Sequence, residues 1–70
     1  MIVKIFKTNV RDRNLADLLV LYLQKIIPDF LINFDLEDRD KVLRISGNRE
    51  VSGLVVQLLT THGFDCKPIG

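Results

Sequence analysis

Cysteine is scarce in this sequence, and its scarcity limits how the fold can be stabilised. Cys66 is the only cysteine among 70 residues, so no internal disulfide can form. Small secreted domains of this length usually depend on disulfides or on a structural metal, so a single cysteine favours a reducing compartment. We therefore expect a cytoplasmic protein whose hydrophobic core provides all of its stability, on the order of a few kcal/mol.

Long apolar runs and a strong net charge are also missing. No run approaches the roughly 18 residues that a membrane-spanning helix needs. Lys4 and Lys7 interrupt the apolar N-terminus, so it lacks the hydrophobic region of a signal peptide. The net charge is only +1, so neither nucleic acid nor an anionic membrane is an expected partner.

The residue sets of common active sites are absent as well. The sequence has no arrangement of nucleophile, histidine and carboxylate, no paired acids in an apolar setting, and no glycine-rich phosphate loop. RNA-recognition modules stack bases on aromatic side chains of their strands, but the segment 41–46 contains none. We expect neither an enzyme nor an RNA-binding protein, and no cofactor.

The sequence does contain a regular succession of strand and helix patterns. Alternating or β-branched runs predict strands over 2–8, 30–36, 41–46 and 64–67. Apolar residues at three- and four-residue spacing predict helices over 15–26 and 51–59. Asn9 or Asn14 is the expected N-cap of the first helix and Asn48 that of the second. Gly63 suits the left-handed conformation that ends a helix, and Pro68 is expected to stop the last strand.

This order predicts one α+β domain over residues 1–70 with the ferredoxin-like βαββαβ arrangement. Right-handed crossovers place both helices on one face of a four-stranded antiparallel sheet. The opposite face, which we name the open face, is expected to expose Ile2, Phe6 and Val42. The topology also brings three loops together at one end of the molecule, and any site is expected there or on the open face.

Charge is distributed unevenly along the chain. Most of the charged residues in the segment 1–13 are basic, whereas most of those in the segment 29–40 are acidic. Both segments contribute to the loop end, which we name the mixed-charge end and define by Arg11, Asp12, Arg13, Asp38, Arg39 and His62. The sequence predicts a solvated and internally paired charge cluster there.

Three local features, in order along nearly the whole chain, resemble the heavy-metal-associated domain of copper chaperones and copper pumps. They are the loop and helix start 7–16, the alternating strand 32–37, and the His-Gly-Phe-Asp-Cys segment 62–66. The resemblance implies an M-x-C-x-x-C copper site after the first strand. Aligned through Ala16, those three positions hold Thr8, Val10 and Arg13. Copper(I) needs soft thiolate donors, so the family's metal-carrier function does not transfer.

These observations favour a metal-free relative of that family that acts through contacts with another protein. Either the mixed-charge end or the open face would bind the partner, and the open face would also support a weak homodimer. One alternative is a weak metal site at His62, assisted by Cys66 or by carboxylates nearby. A second alternative is anion or small-ligand binding at the N-terminus of the first helix, beside Lys7, Arg11 and Arg13.

Overall fold

The structure, a computed structural model, describes residues 1–69 and follows the predicted order of elements. The elements are β1 (Ile2–Thr8), α1 (Arg13–Ile26), β2 (Leu31–Asp35), β3 (Val42–Gly47), α2 (Ser52–Thr61) and β4 (Cys66–Ile69). The four strands form one antiparallel sheet in the order β2-β3-β1-β4. This is the predicted ferredoxin-like α+β fold, with β2 and β4 at the edges.

The hydrophobic core lies between the two helices and one face of the sheet. Leu23 of α1 and both Val55 and Leu59 of α2 are fully buried against Leu43 and Ile45 of β3. Both helices therefore cover the same face, as predicted. In β2 the alternation is also as predicted, since Ile32 and Phe34 are buried while Leu31, Asn33 and Asp35 are exposed.

The predicted orientation of β1 is wrong. Phe6 is fully buried in the core. Side chains alternate along a strand, so Ile2, four residues before Phe6, lies on the same helix-facing side. Val42 is on the open face as predicted, but it is only 7% exposed. Lys4 and Lys7 lie on opposite faces of β1, so the alternation of polar and apolar residues does not show which face is buried. Lys4 lies on the inner side and reaches outward to Glu50, 3.5 Å away.

The helix boundaries correct the predicted caps. Asp12 is the N-cap of α1, and its carboxylate accepts a hydrogen bond from the Asn14 amide at 3.2 Å. The N-cap of α2 is Val51, without a side-chain cap bond, so Asn48 does not cap that helix. Asn9 is used elsewhere, because its side-chain oxygen accepts from the Asp65 amide.

The end of α2 agrees with the sequence. Gly63 has a φ of +86°, the left-handed conformation that glycine adopts without a steric penalty. The Phe64 amide donates to the Leu59 carbonyl and the Gly63 amide to that of Thr60, which is the Schellman pattern. The last strand then continues through Pro68 to Ile69, beyond its predicted end. An edge strand tolerates a proline because the missing N–H can face solvent.

Candidate protein interface

The three positions at which the resemblance implies a copper site do not present metal ligands. Val10 is fully buried and Thr8 is 6% exposed, so both belong to the interior. The Thr8 hydroxyl donates to the Lys41 carbonyl and accepts from the Val10 amide at 3.2 Å. The Arg13 guanidinium donates to the Phe34 carbonyl at 3.3 Å. A valine, a committed hydroxyl and a cation do not fit copper(I).

His62 and Cys66 have different environments. His62 is exposed at the C-terminus of α2, with its ring edge-on to Tyr22 at a centroid distance of 4.9 Å. Cys66 is buried on the inner side of β4, and burial raises the pKa of its thiol to about 11. Metals bind the thiolate, which is scarce at neutral pH when the pKa is that high. Among residues 1–69, no three His, Cys, Asp or Glu side chains are grouped to hold a metal.

The three loops meet at one end of the molecule, as the topology predicts, whereas the ring of His62 contacts Tyr22 of α1. The Thr8 amide donates to the Asp40 carbonyl at 3.0 Å, and the Asp65 amide donates to the Asn9 side chain at 2.9 Å. These bonds join the end of β1 to the β2–β3 hairpin, and the β1–α1 loop to the α2–β4 loop. Lys7 pairs with Asp40 at 3.7 Å, as expected of an internally paired cluster.

Several charged groups at this end are used in local structure. The Asp38 carboxylate accepts from the Asp40 amide at 2.8 Å, inside the hairpin. Arg13 lies along α1, 3.9 Å from Asp17, in addition to its bond with Phe34. Arg11 and Arg39 line a groove of about 620 Å³ that continues along Lys67. The end therefore offers two arginines to a ligand, while its acids are mostly engaged.

The N-terminus of α1 does not favour an anion. Asp12 already occupies it with a carboxylate, which satisfies an amide and places a negative charge at the positive end of the helix dipole. A second anion there would be repelled by Asp12. The structure does not strengthen the anion-binding alternative.

No helix or strand within residues 1–69 covers the open face, and its side chains follow a gradient from apolar to charged. Cross-strand pairing gives one row of Leu31, Ser46 and Val3, and a second row of Asn33, Arg44, Ile5 and Ile69. Leu31 is 70% exposed and Val3 54%, whereas Ile69 is 37% exposed. Nearer the loop end, Asp35 pairs with Val42 and Lys7 pairs with Lys67.

The exposed apolar residues of the open face differ from the predicted set. Leu31, Val3 and Ile69, with the half-buried Ile5, take the place of Ile2 and Phe6, and Val42 is too well covered to contribute much contact area. The sequence does carry a signal for Leu31, because it alternates with the buried Ile32 and Phe34. It carries none for Ile69, which lies beyond the proline expected to end the strand.

Comparisons with protein-family models, with curated proteins and with solved structures find no significant match to this chain. Neither helix in residues 1–69 has the length and apolar character needed to cross a bilayer.

Proposed function

We propose that this chain is a non-enzymatic protein-interaction module that binds another protein through the open face of its sheet. It is a metal-free relative of the heavy-metal-associated domain, in which the scaffold is kept and the ligand set is replaced. The observation that carries the proposal is a cluster of apolar residues on a face that no helix or strand of residues 1–69 covers, namely the exposed Val3, Leu31 and Ile69 and the half-buried Ile5. The scarcity of cysteine supports a cytoplasmic location.

The chemistry of the open face indicates the kind of partner it fits. Leu31 and Val3 provide an apolar area near the start of β1, and such patches mark association sites in small proteins. Arg44 is exposed and lies between Asn33 and Ile5, so a basic residue occupies the middle of the face. A partner with apolar side chains around one carboxylate would complement this pattern.

Replacement of the metal positions supports a function without metal. Val10 contributes to the core and Thr8 ties the first loop to the hairpin, so both positions stabilise the fold. Arg13 is likewise committed to the edge of β2. Binding of copper(I) or zinc is therefore not part of the proposed function.

The first test is capture of partners from a lysate of the source cell by the wild-type chain and by matched variants. We expect L31E and R44E to lose the captured protein, because one places a charge in the apolar area and the other reverses the central charge. L54E is the control, since Leu54 is 39% exposed on α2, away from the sheet. Circular dichroism would verify that all three variants fold.

Two results would contradict the proposal. One is capture of the same proteins by wild type, L31E and R44E, which would exclude the open face as the binding surface. The other is a stoichiometric and tightly held copper or zinc ion in the purified protein, measured by elemental analysis.

A further inference from the structure

The outer side of α1 is unusually apolar for a helix face that contacts solvent. The sequence places Leu18 in the buried stripe of the helix, but its side chain is 63% exposed. Leu21 is 58% exposed, and at 100° per residue it points almost directly away from Ala16, Leu19 and Leu23, the buried residues of α1. Two large leucines, one turn apart, therefore lie on a mostly exposed surface, and Leu21 also borders a groove between α1 and β2.

The charged residues around these leucines are arranged symmetrically about Leu21. Asp17 lies one turn before it and Lys25 one turn after it, so acid and base flank the same leucine at equal spacing. The only ion pair of Asp17 within residues 1–69 is an exposed one with Arg13, at 3.9 Å. Lys25 forms no ion pair with the side chains that the structure describes, which leaves both charges accessible to a second molecule.

This pattern is complementary to itself under a twofold rotation. If two copies of α1 pack antiparallel with Leu21 at the axis, Asp17 of each copy faces Lys25 of the other. Leu18 and Leu21 of both copies then form the apolar centre between the two ion pairs. A C2 interface requires this kind of self-complementary surface.

We propose that a second copy of this chain docks on the outer side of α1 and forms a weak antiparallel helix pair centred on Leu21. The open face is a poorer surface for self-association, because a twofold stack centred on it would bring two Arg44 guanidinium groups together. The helix-pair surface is small compared with the 1,200–2,000 Å² of stable interfaces, so we expect a dissociation constant on the order of 100 µM. The helix pair is centred on Leu21 of α1, whereas the proposed partner surface is centred on Arg44 of β3, and the two surfaces adjoin at Asn33 on the β2 edge. The proposal does not rest on partner binding.

Sedimentation velocity between about 10 µM and 1 mM tests the helix pair. The sedimentation coefficient of the wild-type chain should rise with concentration, whereas L21E should remain monomeric because its two new carboxylates would meet at the axis. L31E is the matched control, since it adds the same charge to an exposed leucine of the open face, and it should behave as wild type. A wild-type monomer at every concentration, or loss of association in L31E but not in L21E, would overturn the proposal.

A charge exchange tests the register of the two helices. D17K and K25D should each weaken association by about tenfold, because a dimer contains two copies of each pair and both become repulsive. The double variant D17K/K25D exchanges the two charges, restores the attraction across the axis and should recover most of the wild-type affinity. If the double variant is as weak as the single variants, the antiparallel arrangement about Leu21 is incorrect.

Discussion

Gly47 shows how one missing side chain fixes the position of an aromatic ring. It ends β3, and the ring of Phe30 packs directly over its Cα. A Cβ atom at this position would lie 2.6 Å from the ring, far inside van der Waals contact. Phe30 is 4% exposed and also carries Arg49 above its ring, 5.4 Å from the centroid. The ring therefore has little room to retreat.

We expect G47A to lower the free energy of unfolding by about 1–3 kcal/mol, the usual cost of overpacking a core. The matched control is G53A, because Gly53 lies in α2 with no atom within 4 Å of an added Cβ. Alanine is the better helix former, so G53A should stabilise the protein by about 0.5–1 kcal/mol. Urea unfolding followed by circular dichroism measures both, and equal effects of the two substitutions would contradict the close packing at Gly47.

At the scale of the element, α1 begins at Asp12 because its carboxylate reaches the Asn14 amide. We expect D12A to destabilise the protein by about 0.5–2 kcal/mol, since it removes this cap and leaves a helix amide without its partner. N14A is the control, because position 14 lies inside the helix, where alanine is favourable, so it should be neutral or slightly stabilising. Thermal unfolding distinguishes the two, and a greater loss in N14A would contradict the assignment of the cap.

The elements also show which sequence signals were sufficient. Strict alternation in β2 predicted both of its faces, because polar residues there fall on one side only. In β1 the lysines fall on both sides, so the burial of Phe6 follows from pairing with Leu43 of β3, which no local pattern encodes. Asn9, Asp12 and Asn14 are all residues that cap helices, and only the path of the loop decides between them. Leu18 follows the spacing of the buried residues of α1. It is nevertheless exposed, because the apolar side of the helix is wider than the part that packs against the core.

At the scale of the molecule, the fold and the meeting of three loops followed from topology, whereas the composition of the open face did not. The sequence determines the order and length of the elements, and right-handed crossovers then leave few arrangements. Which apolar residues reach the open face depends on strand register and on an edge strand that passes through Pro68. The outer side of α1 cannot be identified from the sequence, because local spacing does not reveal which apolar residues remain exposed.

The end opposite the three loops is held by one charged contact between two connections. Arg49, after β3, donates to both carboxylate oxygens of Asp29, before β2, at 2.8 and 2.9 Å. This bidentate geometry is the favourable form of an arginine–carboxylate pair. The guanidinium lowers the pKa of the Asp29 carboxyl from 3.8 to about 2. The pair therefore couples the stability of the whole domain to pH.

The sign of that coupling follows from the direction of the pKa shift. A carboxyl whose pKa is lower in the folded state contributes stability that is fully present above its ordinary pKa of 3.8 and is lost as the pH falls toward 2. We therefore expect D29N to be less stable than wild type at pH 6, and the difference should shrink as the pH falls below 3.8, until most of it is gone near pH 2, where about half of Asp29 in the folded protein is protonated. D17N is the control, because the contact of Asp17 with Arg13 is longer and not bidentate, so its effect at pH 6 should be smaller. Urea unfolding of the three proteins between pH 2 and pH 6 measures their free energies of unfolding. If the difference between wild type and D29N is constant over this range, Arg49 does not favour the ionised form of Asp29.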